Sequence, residues 1–132
     1  MSEMVRAEKQ MISTESAPAA IGPYAQGIGF GSLVFTSGQL PINPATGKMP
    51  ATVVEQTRQC LTNVKKVLEA AGSGMDKVIK TMVFLKDMGT FAEMNGVYAS
   101  FFDPGEVPAR SAVEVARLPK DALVEIEAVA HR

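Results

Sequence analysis

The chain has 132 residues, of which 46% are apolar and 20% are charged. This length and balance are typical of one globular domain and exclude a disordered chain, so we predict a single domain over residues 1–132. Thirteen basic and 14 acidic side chains give a net charge of -1, which makes nucleic acid an unfavoured partner because its binders usually concentrate basic charge.

The first part of the chain predicts three strands. Residues 9–13 predict a short edge strand, and residues 17–24, with two prolines and a glycine, predict a fixed loop. Two apolar runs, residues 25–30 and 33–37, are separated by two residues, a connection typical of a β-hairpin. The Gly-X-Gly-X-Gly pattern in this hairpin is not followed by a helix, so we do not interpret it as a nucleotide-binding loop.

Two amphipathic helices are predicted next. Thr52 and Glu55 have capping-box spacing, and apolar residues then recur mostly at steps of three and four up to Gly72, a typical C-terminal stop. Thr90 and Glu93 repeat the capping-box spacing at the start of the second helix. The apolar stripe of the second helix consists of Phe91, Met94, Tyr98 and Phe101.

Three more strands are predicted, over residues 78–86, 110–116 and 123–130. The order β-β-β-α-β-α-β-β indicates an α+β fold, or a ferredoxin-like split arrangement, with six strands in a mixed sheet and two helices on one face. Two helices are too few to bury both faces of such a sheet, so we expect self-association.

The inventory of reactive side chains excludes several mechanisms. The lone histidine, His131, stands near the end of the sequence, so a Ser-His-Asp or Cys-His arrangement and a zinc site are unfavoured. The lone cysteine, Cys60, lies on the apolar stripe of the first helix and is interpreted as a buried, inert thiol. It also excludes an intrachain disulfide, and residues 1–10 contain no signal-peptide core, so we expect a cytoplasmic protein without a membrane partner.

Two features remain, and each has two interpretations. Arg110 opens a predicted strand beside a loop, where it either presents its guanidinium to a ligand or forms a surface ion pair, and the residues alone favour the ion pair. Glu125 and Glu127 share one face of the last strand. They are either a carboxylate site that orients water or the solvent face of an antiparallel strand, and periodicity alone favours the solvent face.

Longer motifs add a family resemblance. The sequence PARSAVEVARLPK over residues 108–120, followed by VEIEA over residues 124–128, resembles the signature of the Rid family of reactive intermediate deaminases. These are also called YjgF-type proteins and were formerly grouped with translation inhibitor L-PSP. Residues 17–24 resemble the N-terminal loop of the family, and residues 35–39 resemble its second motif. Several long motifs in the right order make the resemblance specific.

The resemblance implies a chorismate mutase-like α+β fold, a homotrimer and active sites in clefts between subunits. It also implies hydrolysis of 2-aminoacrylate and related 2-imino acids to 2-keto acids and ammonia, without a metal or cofactor. Small 2-imino and 2-keto acids are then the ligands. Two alternatives stay open: a non-catalytic sensor of small keto acids, and an RNA-cleaving translation inhibitor, which the net charge and the lack of a placed histidine disfavour.

The resemblance also assigns roles to residues. Arg110 would clamp the substrate carboxylate, and Glu125 would position or activate the attacking water. Ser37 and Tyr24 would contribute hydroxyl hydrogen bonds, and Gly38 would let the backbone approach closely.

Asn95 matches a family asparagine, and the resemblance leaves open whether its role is structural. Ala112 stands where many members of the family carry a cysteine. A thiol step at that position is therefore excluded in this chain, whereas an arginine clamp and a water molecule do not require one.

Overall fold

The computed structural model describes residues 8–132. Residues 1–7, on which the signal-peptide prediction partly depends, lie outside this range. The elements in chain order are β1 (Lys9–Ile12), β2 (Gly27–Phe30), β3 (Leu33–Thr36), α1 (Val53–Ala70), β4 (Val78–Leu85), α2 (Phe91–Ala99), β5 (Ala109–Glu114) and β6 (Val124–His131). Three short 3-10 turns, Met75–Lys77, Met88–Thr90 and Pro119–Asp121, connect them.

The six strands form one mixed sheet in the order β1-β2-β3-β6-β4-β5. All neighbours are antiparallel except β4 and β5, which run parallel and are connected through α2. The last strand of the chain, β6, therefore lies in the middle of the sheet between β3 and β4. The predicted α+β architecture is confirmed.

Both helices pack on one face of the sheet, as predicted. Every second residue of β6, beginning with Val124, points to this face and is buried. These side chains share one core with the apolar stripe of α1 and with Met94 and Tyr98 of α2. Because side chains alternate along a strand, Glu125 and Glu127 point to the opposite face, which carries no helix.

This open face of the sheet retains exposed apolar side chains. By strand register it includes Phe35 of β3, opposite Val129 of β6, and Val113 of β5, opposite Phe84 of β4. Phe35 is 41% exposed and Val113 is 37% exposed. An apolar face of this kind favours association with another chain, and the expected self-association stays a prediction.

The local signals at the helix ends are confirmed in two cases out of three. Thr52 caps α1 by accepting a hydrogen bond from the Glu55 backbone N–H at 3.2 Å. Gly72 follows α1 with φ of +80°, and the Ser73 N–H bonds back to the Leu68 carbonyl at 2.8 Å, as in a Schellman motif.

The predicted cap at Thr90 is wrong. Its side chain makes no capping bond to α2 and instead donates to the Asp87 carbonyl at 2.7 Å. The reason is that Thr90 is the last residue of the 3-10 turn, so its backbone is not extended as a capping residue requires. Asp87 caps that turn, and α2 ends at Ala99, before Phe101.

Within residues 8–132, neither α1 nor α2 combines the length and apolar character that a bilayer crossing requires.

Candidate active site

A cavity of about 570 Å³ brings together four of the five predicted site residues. Tyr24 comes from the loop before β2, Ser37 and Gly38 follow β3, and Glu125 comes from β6. A neighbouring cavity of about 710 Å³ on the same loop includes Tyr24 and none of the other four. The smaller cavity is therefore the candidate site.

Gly38 and Glu125 lie side by side because the chain after β3 continues to pair with β6. The Gln39 N–H donates to the Ile126 carbonyl at 2.8 Å, and the Ile126 N–H donates to the Gln39 carbonyl at 3.2 Å. This pairing brings the Gly38 backbone so close to Glu125 that a Cβ atom at position 38 would overlap Oε2 of the carboxylate. Glycine is therefore required here by space, as the motif implied.

The carboxyl group of Glu125 has an unusual electrostatic environment. Burial raises the pKa of its carboxyl above the ordinary value of 4.5, and the neighbouring Glu127 carboxylate raises that pKa further. Within residues 8–132, no basic side chain lies within 4.0 Å of the Glu125 carboxylate. A carboxyl group with a raised pKa accepts a proton from water more readily than an ordinary one near neutral pH.

The hydroxyl group of Ser37 already has a partner for its proton. Ser37 Oγ donates to the Ala25 carbonyl at 2.5 Å, and the Ser37 N–H donates to the Gln26 carbonyl at 2.9 Å. A serine hydroxyl has one proton and two acceptor sites. Ser37 can therefore accept a hydrogen bond from a ligand or water in the cavity, while its own proton holds the loop that carries Tyr24.

Gln26 was not predicted from the sequence, and it holds the start of the loop that carries Tyr24. Its side chain is 4% exposed. Its amide nitrogen donates to the Thr14 and Pro18 carbonyls at 3.0 and 2.7 Å, and its amide oxygen accepts from the Thr14 N–H at 2.7 Å. The signal in the sequence was a polar residue inside an apolar run, which the strand pattern alone does not explain.

Lys120 was also missed, because a lysine in a polar turn is usually surface. It lines the cavity, and it is the one basic side chain to do so among the described residues. Lys120 and Asp121 both have left-handed backbone, with φ of 57° and 56°. The Asp121 carboxylate forms an exposed ion pair with Arg117 at 2.9 Å in the same turn.

Arg110, the fifth predicted residue, does not line the cavity. It stands opposite Thr81 in the β4–β5 ladder, so it points to the helix-bearing face. Its Nη1 donates to Asn95 Oδ1 at 2.6 Å, and its guanidinium lies 4.7 Å from the Tyr98 ring centroid. Glu125 points to the other face of the sheet, on a strand separated from β5 by β4. One chain alone therefore does not bring Arg110 to Glu125.

Two other positions considered in the sequence, Cys60 and Ala112, pack in or against the hydrophobic core. Cys60 is fully buried, its Sγ lies 3.5 Å from the Val124 carbonyl, and burial raises the pKa of its thiol, followed by the effect of Glu125. The predicted burial is confirmed. Ala112 packs against the core beside Arg110 on β5. Within residues 8–132, no three His, Cys, Asp or Glu side chains come together as a metal site.

Comparison with known proteins identifies the family. A family model described as endoribonuclease L-PSP matches residues 14–132. The 2-iminobutanoate/2-iminopropanoate deaminase of Escherichia coli strain K12 is 55% identical over 123 residues, which cover 92% of this chain and 96% of that protein.

Two solved structures agree with the fold. The YjgF gene product of Escherichia coli and Escherichia coli TdcF with bound serine each have a TM-score of 0.89, with identities of 53% and 50%. Each match covers 93% of this chain and 98% of the other. The chain therefore belongs to the endoribonuclease L-PSP family, which is the Rid or YjgF-type family that its motifs resembled.

Proposed function

We propose that this protein is a deaminase that hydrolyses 2-aminoacrylate and related 2-imino acids to 2-keto acids and ammonia. The observation that carries the proposal is Glu125, a half-buried carboxyl group with a raised pKa in a cavity with Tyr24 and Ser37. The Escherichia coli relative that is 55% identical bears the name of such an activity.

The enamine 2-aminoacrylate gives the corresponding 2-imino acid when its C3 gains a proton and its nitrogen loses one. The site chemistry matches the step that follows because an imine carbon is already electrophilic. Water adds to that carbon while Glu125 takes one of its protons and passes it to the nitrogen, which gives a carbinolamine. The hydroxyl proton then moves to the nitrogen through the same carboxylate, the C–N bond breaks, and ammonia leaves a 2-keto acid. Neither a strong nucleophile nor a histidine is needed.

The other side chains of the cavity orient the reactants. Ser37 Oγ accepts a hydrogen bond from the attacking water or from the imine N–H, because its own proton is held by Ala25. The Tyr24 hydroxyl supplies a donor from the exposed loop. Gly38 leaves the space in which the Glu125 carboxylate reaches the imine carbon.

We infer that Arg110 of a second copy completes each site, in a homotrimer with sites between subunits. Such a substrate offers little to hold except its carboxylate, and a planar guanidinium can grip both oxygens. Arg110 lies on β5 at the edge of the sheet, and the open face beside Glu125 carries apolar side chains that another chain can cover. Both features favour an assembly in which β5 meets the cavity of a neighbour.

Mixing two inactive variants tests this arrangement. In the proposed trimer, Arg110→Ala chains retain an intact Glu125, and Glu125→Gln chains retain an intact Arg110. Unfolding and refolding the two together restores activity at the interfaces where the intact residues meet, whereas each variant refolded alone stays inactive. If the mixture is as inactive as its parts while sedimentation shows mixed trimers, the site does not lie between subunits.

The activity itself is tested by generating 2-aminoacrylate in place with a serine dehydratase and following pyruvate release. Acceleration by this protein is expected. No acceleration would favour the sensor of small keto acids. The cytoplasmic location expected from the single cysteine is a proposal as well, and cell fractionation tests it.

The family description names an endoribonuclease, and the cavity favours the deaminase over that activity. Its charged lining residues are Glu125 and Lys120, which do not form a basic surface for a phosphate backbone. His131 is exposed at the end of β6 and does not line the cavity.

A further inference from the structure

One helix face surrounds the guanidinium of Arg110. Phe91, Asn95 and Tyr98 stand at positions i, i+4 and i+7 of α2, so they share a face. Asn95 accepts a hydrogen bond from Arg110 Nη1 at 2.6 Å, and the Tyr98 and Phe91 ring centroids lie 4.7 and 5.3 Å from the guanidinium carbon. Three side chains of one helix therefore fix a single arginine.

Tyr98 is itself held in place from the sheet. Its hydroxyl group and Thr81 Oγ1 are 2.7 Å apart, and both residues are buried. Thr81 stands opposite Arg110 in the β4–β5 ladder. The hydrogen bond to Thr81 therefore fixes the Tyr98 ring next to the backbone of Arg110, where the ring packs against the guanidinium.

These contacts orient the guanidinium without neutralising it. Within residues 8–132, no carboxylate lies within 4.0 Å of Arg110. The acceptor is a neutral amide, and aromatic faces attract a cation while leaving its charge in place. An arginine with a purely structural role would gain more from a carboxylate partner, because a partly buried charge is stabilised by an opposite one.

We propose that Asn95 and Tyr98 are positioning residues that aim Arg110 at the substrate carboxylate, and that position 95 must be uncharged for the arginine to bind an anion. This inference rests on the proposed function, in which Arg110 holds that carboxylate. Asn95 occupies one N–H of the guanidinium, and the remaining N–H groups of the fork stay available for a bidentate contact.

The decisive variant is Asn95→Asp, which keeps the shape of the side chain and adds a negative charge. The new carboxylate pairs with Arg110 and competes with the ligand, so the Kd for pyruvate and the KM rise by about tenfold or more, while kcat falls less. The melting temperature stays equal or rises, because an ion pair replaces a neutral hydrogen bond. If Asn95 had only a structural role, Asn95→Asp would lower the melting temperature and leave the Kd for pyruvate unchanged.

The matched control is Asn43→Asp, which adds the same charge in an exposed turn. Asn43 Oδ1 accepts from the Ala45 N–H at 2.9 Å, a contact that a carboxylate makes equally well. We expect its pyruvate affinity and KM to equal those of the parent.

A second pair of variants tests Tyr98. Tyr98→Phe keeps the ring face and loses the bond to Thr81, so it lowers the melting temperature and raises KM by about twofold. Tyr98→Leu removes the ring face and raises KM by about tenfold. Equal KM values for these two variants would contradict the role of the ring.

Arg110→Ala, measured in parallel, distinguishes a wrong role for Arg110 from a wrong role for Asn95. If Arg110→Ala binds pyruvate normally, the proposed role of Arg110 is wrong. If Arg110→Ala loses pyruvate while Asn95→Asp binds it like the parent, the role of Arg110 stands and the positioning role of Asn95 is overturned.

Discussion

Replacing Gly38 by alanine tests whether the tight contact between this residue and Glu125 holds the carboxylate in its working position. A Cβ atom on residue 38 would overlap Glu125 Oε2 and would lie 2.9 Å from Cδ and 3.2 Å from Cγ. Ordinary contacts of such an atom begin at 3.4 Å. The Glu125 Cδ atom must therefore retreat by at least about half an ångström, and Oε2 must move further.

The magnitudes follow from this displacement. Overpacking by one methyl group costs about 1–3 kcal/mol of the free energy of unfolding. A shift of a catalytic group approaching 1 Å lowers turnover by about 100-fold. Because Gly38 does not have a positive φ, backbone strain adds nothing, and both effects come from the displaced carboxylate.

The assay combines pyruvate release from 2-aminoacrylate with the melting temperature of the same samples. Gly105→Ala is the matched control, because its Cβ atom would meet only Asp103 Oδ1 at an ordinary 3.6 Å, and it should behave as the parent. In the double variant Gly38→Ala/Glu125→Asp, the shorter aspartate side chain makes room for the new methyl group. This variant should recover the melting temperature of the parent but not its turnover. Normal turnover by a folded Gly38→Ala variant would refute the argument.

Four further predictions concern Glu125, Cys60 and Arg110. Glu125→Gln should lower kcat by about 100-fold, because an amide cannot accept a proton from water, while the Kd for pyruvate changes little; a variant as fast as the parent would reduce Glu125 to a polar strand residue. The same variant tests stability against pH. Since the folded pKa of Glu125 is raised above 4.5, the folded parent binds more protons than the unfolded chain in the window above that pH, and its stability falls as the pH rises through the window. Glu125→Gln should therefore melt higher than the parent at neutral pH, and this advantage should disappear below pH 4.5; a constant difference across the titration would contradict the raised pKa. Cys60→Ser should keep most activity but melt lower, because it places a hydroxyl group in the core, and a near-total loss of turnover in folded protein would overturn that. Arg110→Lys should lose most activity with its fold intact, because a lysine makes only a point contact with a carboxylate, which kinetics and melting curves on one sample will check.

The pattern of the strands and of the first helix could be predicted because the signals are local. Alternation in β6 assigned Val124 and Glu125 to opposite faces, and the Gly31-Ser32 connection gave the hairpin between Phe30 and Leu33. The capping box at Thr90 failed because Asp87 caps a 3-10 turn over Met88–Thr90, and this turn leads directly into α2.

The site was harder to predict because its contacts are not local. Periodicity made Glu125 a solvent-facing residue, and no local pattern reveals that Gln39 pairs with Ile126 next to it and brings Gly38 against its carboxylate. The strand order that separates Arg110 from Glu125 is equally invisible in a single sequence. Lys120 has left-handed backbone, a conformation that a glycine in the sequence usually indicates. No glycine marks this turn, so the position of Lys120 at the cavity could not be predicted.

The parallel pairing of β4 and β5 through α2 has a consequence for the order in which the molecule folds. Asn95 and Arg110 are 15 residues apart, so their contact closes a short loop within one continuous segment. Gly38 and Glu125 are about 90 residues apart, and contacts of high sequence separation form more slowly because a longer loop must close. We expect amide hydrogens in β4 and α2 to gain protection during refolding before those of Gln39 and Ile126, which pair beside the cavity, so that the arginine is oriented before the cavity exists.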